Sequence, residues 1–216
     1  LEEFIRAWNE RANSSRVLAG DDTAGEAEAL CGRWFGSFPA STRPPRRAWP
    51  QPVLAAPVER ELTDPLAALV RIRRAWHGPA VATDDDVALD VLALALATPG
   101  TGRLWRALVY DRPLAQRVTA YVQSGRVGGG LPRTEAGRVI DDVLAAAVDG
   151  LEPTEVARGV RRREAGLVWR TDGIGRRAAM LLGAHLATGA PQVADELGRY
   201  LALDVARIRA AATRWL

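Results

Sequence analysis

The sequence predicts an α+β fold, a mixed or antiparallel sheet packed with several helices, on three observations. Apolar residues recur at helical spacing through much of the chain, as at Val139, Ile140, Val143, Leu144, Ala147 and Val148. Two segments, 65–76 and 114–122, instead alternate apolar and polar side chains with the period of two that a half-buried strand requires. Proline and glycine gather between the periodic segments, at 37–57 and 128–130, where they mark connections.

The elements follow in order. Leu1, Phe4, Ile5, Trp8 and Ala12 lie at helical spacing, so a helix with one buried stripe opens the chain. A short strand, 16–20, comes next. Thr23 and Glu26 stand three residues apart as a capping box, each side chain accepting the other's backbone N–H, and start a helix that buries Ala27, Leu30, Cys31, Trp34 and Phe35 and stops at Gly36. Six prolines in 37–57 read as a linker, because proline removes a backbone donor and fixes φ. The strand 65–76 places Leu66, Ala68, Val70 and Ile72 on one face, with Arg71 and Arg73 on the other. Asp84, Asp85 and Asp86 put negative charge at a helix start, where the macrodipole favours it. The helix that follows, to Ala97, is apolar nearly all round and belongs at the centre of the core.

Thr101 is placed to cap a short helix with Leu104, Trp105 and Leu108 inward, and Arg112-Pro113 breaks it. On the strand 114–122, Leu114, Gln116, Val118, Ala120 and Val122 share a face. The tri-glycine 128–130 reads as a flexible turn. Further helices complete the chain: one through 139–148, one starting at Pro153 or Thr154 and running toward Arg170, then two or three more over 173–187, 192–201 and 204–216, the last with Val205, Ile208, Ala212 and Trp215 inward.

Composition excludes several functions. All 29 basic residues are Arg, but 26 acidic residues leave a net charge of only +3, so the arginines read as the codon preference of a GC-rich genome rather than a nucleic-acid footprint. The densest run, 158–170, spreads its arginines around a helix. No apolar stretch approaches the roughly 20 residues of a membrane span. No secretory signal is visible; Leu1 is not an initiator Met, so a targeting segment could precede it, and the expected location is soluble, cytoplasmic or periplasmic. The lone Cys31 is a core residue rather than a nucleophile. The seven tryptophans read mainly as core anchors. The only histidines, His77 and His185, lie far apart with no Glu placed beside them, so no metal site is expected, and no Ser-His-Asp or Cys-His set can be assembled.

The stretch "GTGRLWRALVYDRPLAQRVTAYV", 100–122, resembles a motif of the pitrilysin and insulinase zinc peptidases, the family that includes the mitochondrial processing peptidases. There a helix carrying "SRL…LR" is followed seven residues later by a Tyr that opens a strand. Arg103 and Leu104 match the "RL". The family's Arg and Tyr, which hold the substrate over the zinc, fall on Val109 and Gln116, and neither side chain can replace them: Val donates nothing and Gln lacks the phenol. Residues 12–40 resemble the strand, helix and "FG.iP" exit that close one lobe. Residues 71–97 resemble the first strand and long helix of the next.

The resemblance implies an organisation of three parts: 1–40 as the end of a preceding lobe, 41–57 as a linker, and 58–216 as a non-zinc C-terminal lobe of the LuxS/mitochondrial-processing-peptidase-like metallohydrolase type, lacking one strand near 125–132 and the final strand. It implies no catalytic residue in this chain, because the His-x-x-Glu-His helix is absent, so the chain alone should be inactive. Zinc is expected in a partner lobe or subunit, with peptide as substrate and Gln116, Arg117 and Arg103 facing it. The alternative is a purely structural subunit of the same fold, without peptidase activity. Neither nucleic acid nor a membrane is an expected partner.

Overall fold

A computed structural model of the protein describes residues 1–39, 41–42, 55–66, 68–122, 135–190 and 196–216. Among them the helices are α1 (Glu2–Trp8), α2 (Ala24–Phe35), α3 (Asp84–Ala97), α4 (Arg103–Trp105), α5 (Glu135–Gly150), α6 (Pro153–Asp172), α7 (Ile174–Thr188), α8 (Glu196–Leu201) and α9 (Val205–Trp215). A 3-10 turn lies at Arg11–Asn13, and a π-helical turn, Arg106–Asp111, continues α4. The chain divides into two compact units, Leu1–Pro50 with Leu167–Ala194 and Gln51–Gly166 with Asp195–Leu216.

The second unit is built around α3. Its sequence carries apolar residues on every side, and eleven of its fourteen residues are buried, Val91 completely. Thr83 caps it, accepting the Asp86 N–H at 3.3 Å, while the Asp86 carboxylate accepts the Ala82 N–H at 2.9 Å. Against α3 lie α4, α8 and α9, with Ile208 of α9 fully buried. Asp204 caps α9 by accepting the Arg207 N–H at 2.8 Å. α6 approaches closely because Gly159 has no side chain: a Cβ there would stand 2.9 Å from Cγ1 of Val91.

α3 and α4 are joined by a tight turn. Thr101 N–H donates to Thr98 O at 3.2 Å, with Pro99 second and Gly100, φ 81°, third, the type II arrangement in which the third residue needs positive φ. Gly102 then caps α4 with no side-chain hydrogen bond, so Thr101 is not the cap that the sequence predicts. Leu104 and Leu108 point into the core as expected, and the chain leaves helical geometry at Arg112.

In the first unit the predicted capping box forms, with Thr23 N–H donating to Glu26 Oε2 at 2.8 Å and Glu26 N–H to Thr23 Oγ1 at 3.3 Å. α7 ends where Gly189 adopts φ 85° and donates its N–H to His185 O at 2.8 Å. The buried stripes predicted for α1 and α2 do not form: Phe4, Ile5, Leu30 and Trp34 are exposed, and α2 has no buried residue. Helical spacing identified the helices, but burial needs a facing surface, and within this unit these stripes are not covered. Cys31 is accordingly half-buried.

The predicted sheet is overturned. Among the described residues there is no strand, and 16–20, the described residues of 65–76 and 114–122 run as turns and irregular chain in an all-α structure. Alternation of side chains describes one segment by itself, whereas a strand exists only when its N–H and C=O groups pair with a neighbour, and these segments form no ladder. The expected inward face of 65–76 also fails, because Leu66 and Val70 are almost fully exposed. Along 114–122 the alternation survives from Val118 to Val122, but Leu114 is exposed and Ala115 turns inward, since both of their N–H groups donate to Leu108 O at 3.0 Å. Most of the linker (43–54), the strand missing near 125–132 and the tri-glycine 128–130 lie outside the described residues.

Candidate functional site

The segment that carries the motif borders an open cleft of about 490 Å³ in the second unit. Leu94 and Thr98 of the α3 end form one side, Trp105 another, and Gln116, Arg117 and Arg162 bring polar groups to it. Arg162 belongs to a run of three arginines on α6. A helix turns about 100° per residue, so the run aims its members apart: Arg163 pairs with Asp90 on α3, while Arg162 lines the cleft. Gln116 and Arg117 are exposed at the segment's start, and Val118 packs against the core below.

Arg103 has a different place. Its Nε donates to Glu155 Oε1 at 2.8 Å and its Nη2 to Glu155 Oε2 at 2.6 Å, a forked pair in which both carboxylate oxygens are held. Nη1 donates to Ala146 O at 3.3 Å and Nη2 also to Gly150 O, carbonyls at the end of α5, of which Gly150 O lies among the last four that an α-helix leaves without a helical partner. Glu155 Oε2 in turn accepts the Glu152 N–H at 3.0 Å at the start of α6. One guanidinium therefore ties the start of α4, the end of α5 and the start of α6. The forked hydrogen bond from Arg103 holds the Glu155 carboxyl below its ordinary range against the opposing effect of burial, and the same bond raises Arg103.

A second polar node supports α3 from behind. Asp90 Oδ2 accepts the Tyr200 hydroxyl at 2.7 Å, and Oδ1 accepts from Arg163 Nη2. Burial pushes the Asp90 carboxyl up despite both partners, and burial followed by the Asp90 bond pushes the Tyr200 phenol up. Asp85 Oδ2 accepts from Arg214 Nη1 at 2.6 Å and from the Trp215 indole at 2.9 Å, which fastens the end of α9 to the start of α3.

The residues expected to face substrate are thus separated in role: Gln116 and Arg117 line the cleft, and Arg103 is engaged in joining helices. Val109 sits in the π-helical turn and is half-buried. Among the described residues no three His, Cys, Asp or Glu side chains group to hold a metal. His77 lies half-buried in irregular chain and His185 half-buried in the last turn of α7. Glu155 and Arg162 were not foreseen. A Glu three residues after Glu152 at a helix start is a legible capping signal, whereas nothing local distinguishes Arg162 from its neighbours.

A family model described as the peptidase M16 inactive domain matches residues 1–151. Among solved structures, a conserved protein from Enterococcus faecalis V583 is similar with a TM-score of 0.73 and 17% identity, covering 91% of this chain and 48% of that one. A protease from Helicobacter pylori gives 0.65 and 18%, covering 91% of this chain and 50% of that one, so the chain spans about half the length of these structures. The inactive peptidase domain of a candidate zinc protease from Bordetella parapertussis gives 0.55 and 21%, covering 68% and 90%. None of the curated proteins compared with it matches the chain.

Proposed function

The chain belongs to the peptidase M16 inactive-domain family, the family its motif resembles, and from that premise we propose that it is the wall lobe of a zinc peptidase. In this reading the chain pairs with a zinc-bearing lobe or subunit, encloses an extended peptide against 116–120, and leaves water activation to the partner. Residues 1–40 are the end of a preceding lobe, 41–57 the linker and 58–216 the wall. The observation that carries the reading is the pair Val109 and Gln116: at the two motif positions where a guanidinium and a phenol would steady a scissile amide, this chain has an alkyl group and a neutral amide, yet at Gln116 it keeps an open cleft with polar walls. Gln116 and Arg117 are the groups placed to bind peptide backbone or side chains, and Arg103 positions the helices beneath them.

The test is reconstitution. The chain is purified alone and with a zinc-bearing partner lobe, sought as an adjacent gene product that carries His-x-x-Glu-His, and zinc content and cleavage of unstructured peptides are measured for each. The expected outcome is no bound zinc and no cleavage by the chain alone, and cleavage by the pair that exceeds the zinc lobe by itself. Stoichiometric zinc and hydrolysis by the chain alone would overturn the proposal. A stable pair that cleaves no faster than the zinc lobe alone would transfer support to the structural-subunit alternative.

A further inference from the structure

The cleft wall is cationic without a counter-charge. Arg117 and Arg162 both line it, both are exposed, and among the described residues neither makes an ion pair or hydrogen bond. No Asp or Glu lines the cleft. Elsewhere in the unit Arg74, Arg103, Arg163, Arg199 and Arg214 are each paired with a carboxylate. Trp105, which lines the same cleft, has its indole Nε1 buried with no hydrogen-bond partner. A buried N–H without an acceptor is uncommon in a folded protein. Two guanidiniums and one unpaired indole donor, with no carboxylate among the lining residues, give the cleft a surplus of positive charge and donors.

We propose that this cleft selects carboxylates: it binds the acidic side chains of an extended peptide, with Arg117 and Arg162 as the discriminating residues. The inference rests on the wall-lobe reading and names the substrate class of that same cleft. Arg117 stands on the segment 116–120 that flanks the peptide path, and Arg162 stands on α6. A guanidinium presents paired N–H donors that match the two oxygens of a carboxylate, which a neutral amide side chain cannot reproduce. Apolar contact with Leu94, Ala97 and Val118 would hold the peptide between the charges. Two partly exposed pairs make a preference on the order of tenfold, weakening as salt screens them.

The experiment uses the full chain and three fluorescein-labelled ten-residue peptides of one Ala/Ser background, read by fluorescence anisotropy. One has three Glu and an amidated C-terminus, the second has Gln in their place and is likewise amidated, and the third is the Gln peptide with a free C-terminal carboxylate. The Glu peptide is expected to bind roughly tenfold tighter than its Gln twin at low salt. Arg117→Gln and Arg162→Gln should each shrink that ratio and together bring it near one. Arg161→Gln, on the same helix but outside the cleft, should keep it, and helical circular dichroism verifies folding of every variant. Preference for the third peptide over the Glu peptide would place recognition on the chain terminus and overturn the assignment to side chains. Equal binding of all three overturns the carboxylate preference and leaves the wall-lobe reading standing, whereas binding of none overturns both. Tighter binding of a single-stranded oligonucleotide than of the Glu peptide would also overturn it, in favour of phosphate.

Discussion

Gly102 sits where the end of α3 and the start of α4 touch, and a Cβ there would lie 2.5 Å from Leu96 O, 2.7 Å from Thr98 N and 2.8 Å from Ala97 N. Backbone cannot withdraw as a flexible side chain can, so Gly102→Ala should destabilise the chain by about 1–3 kcal/mol, read as a lower urea midpoint at an unchanged slope. The pair of Arg103 and Glu155 is the other sensitive point. With 25% and 11% of their side chains exposed, Glu155→Gln should cost about 2–3 kcal/mol at neutral pH, somewhat less than the loss for a fully buried pair. The pH dependence has a definite sign. A carboxyl whose pKa is lowered on folding contributes stability above its unfolded value near 4, and that contribution is lost as pH falls through the lower folded value. Stability measured from pH 6 downward should therefore fall more steeply in the parent chain than in Glu155→Gln. Asp90 works in the opposite direction, since its raised folded pKa makes protonation favour the folded chain, and it should soften the acid loss without reversing it. The motif made Arg103 legible in the sequence as a notable residue, but not its carboxylate, because Glu155 is fifty-two residues away.

At the scale of elements, helix identity was legible and burial was not. α3 was expected at the centre because it is apolar all round, and its Val91 is fully buried in the same cluster as Ile208 of α9, an expected inward residue. Ile208→Ala should cost about 2–5 kcal/mol, since neighbours on all sides cannot fully collapse into the space left. α2 carried an equally clear helical pattern and a capping box that forms, but it has no buried residue. Hydrogen exchange should separate the two: amides of α2 exchange by local opening, well ahead of those of α3, which require the second unit to unfold. Exposed Trp34 and Trp169 make the same point, because their positions on apolar faces read as core anchors and no covering surface lies within their unit. The strands failed for a related reason. Alternation in 114–122 reports which side chains dislike water, while the ladder that would make it a strand depends on a partner distant in sequence.

For the molecule as a whole, the two units are stabilised unequally. The buried apolar cluster that runs from Ala88 to Ala212 lies in the second unit. Heating should therefore reveal a first unit that loses helix at lower temperature than the second, detectable as non-coincident transitions followed by circular dichroism and by fluorescence. EDTA should leave both transitions of the isolated chain where they are, because no metal-binding group of side chains exists among the described residues. What the sequence by itself determined was local and compositional. It set the existence of the helices, the cap at Thr23, the "RL" motif that resembles the family's, and the replacement of the motif's Arg and Tyr by Val109 and Gln116. The tertiary structure alone decided which apolar faces are covered, that the alternating segments make no sheet, that Arg103 binds Glu155, and that Arg117 and Arg162 meet in one cleft without a carboxylate. The division has one physical cause: capping and periodicity act over three or four residues of the same chain, whereas burial, ladders and ion pairs join groups tens of residues apart, and no local pattern carries that information.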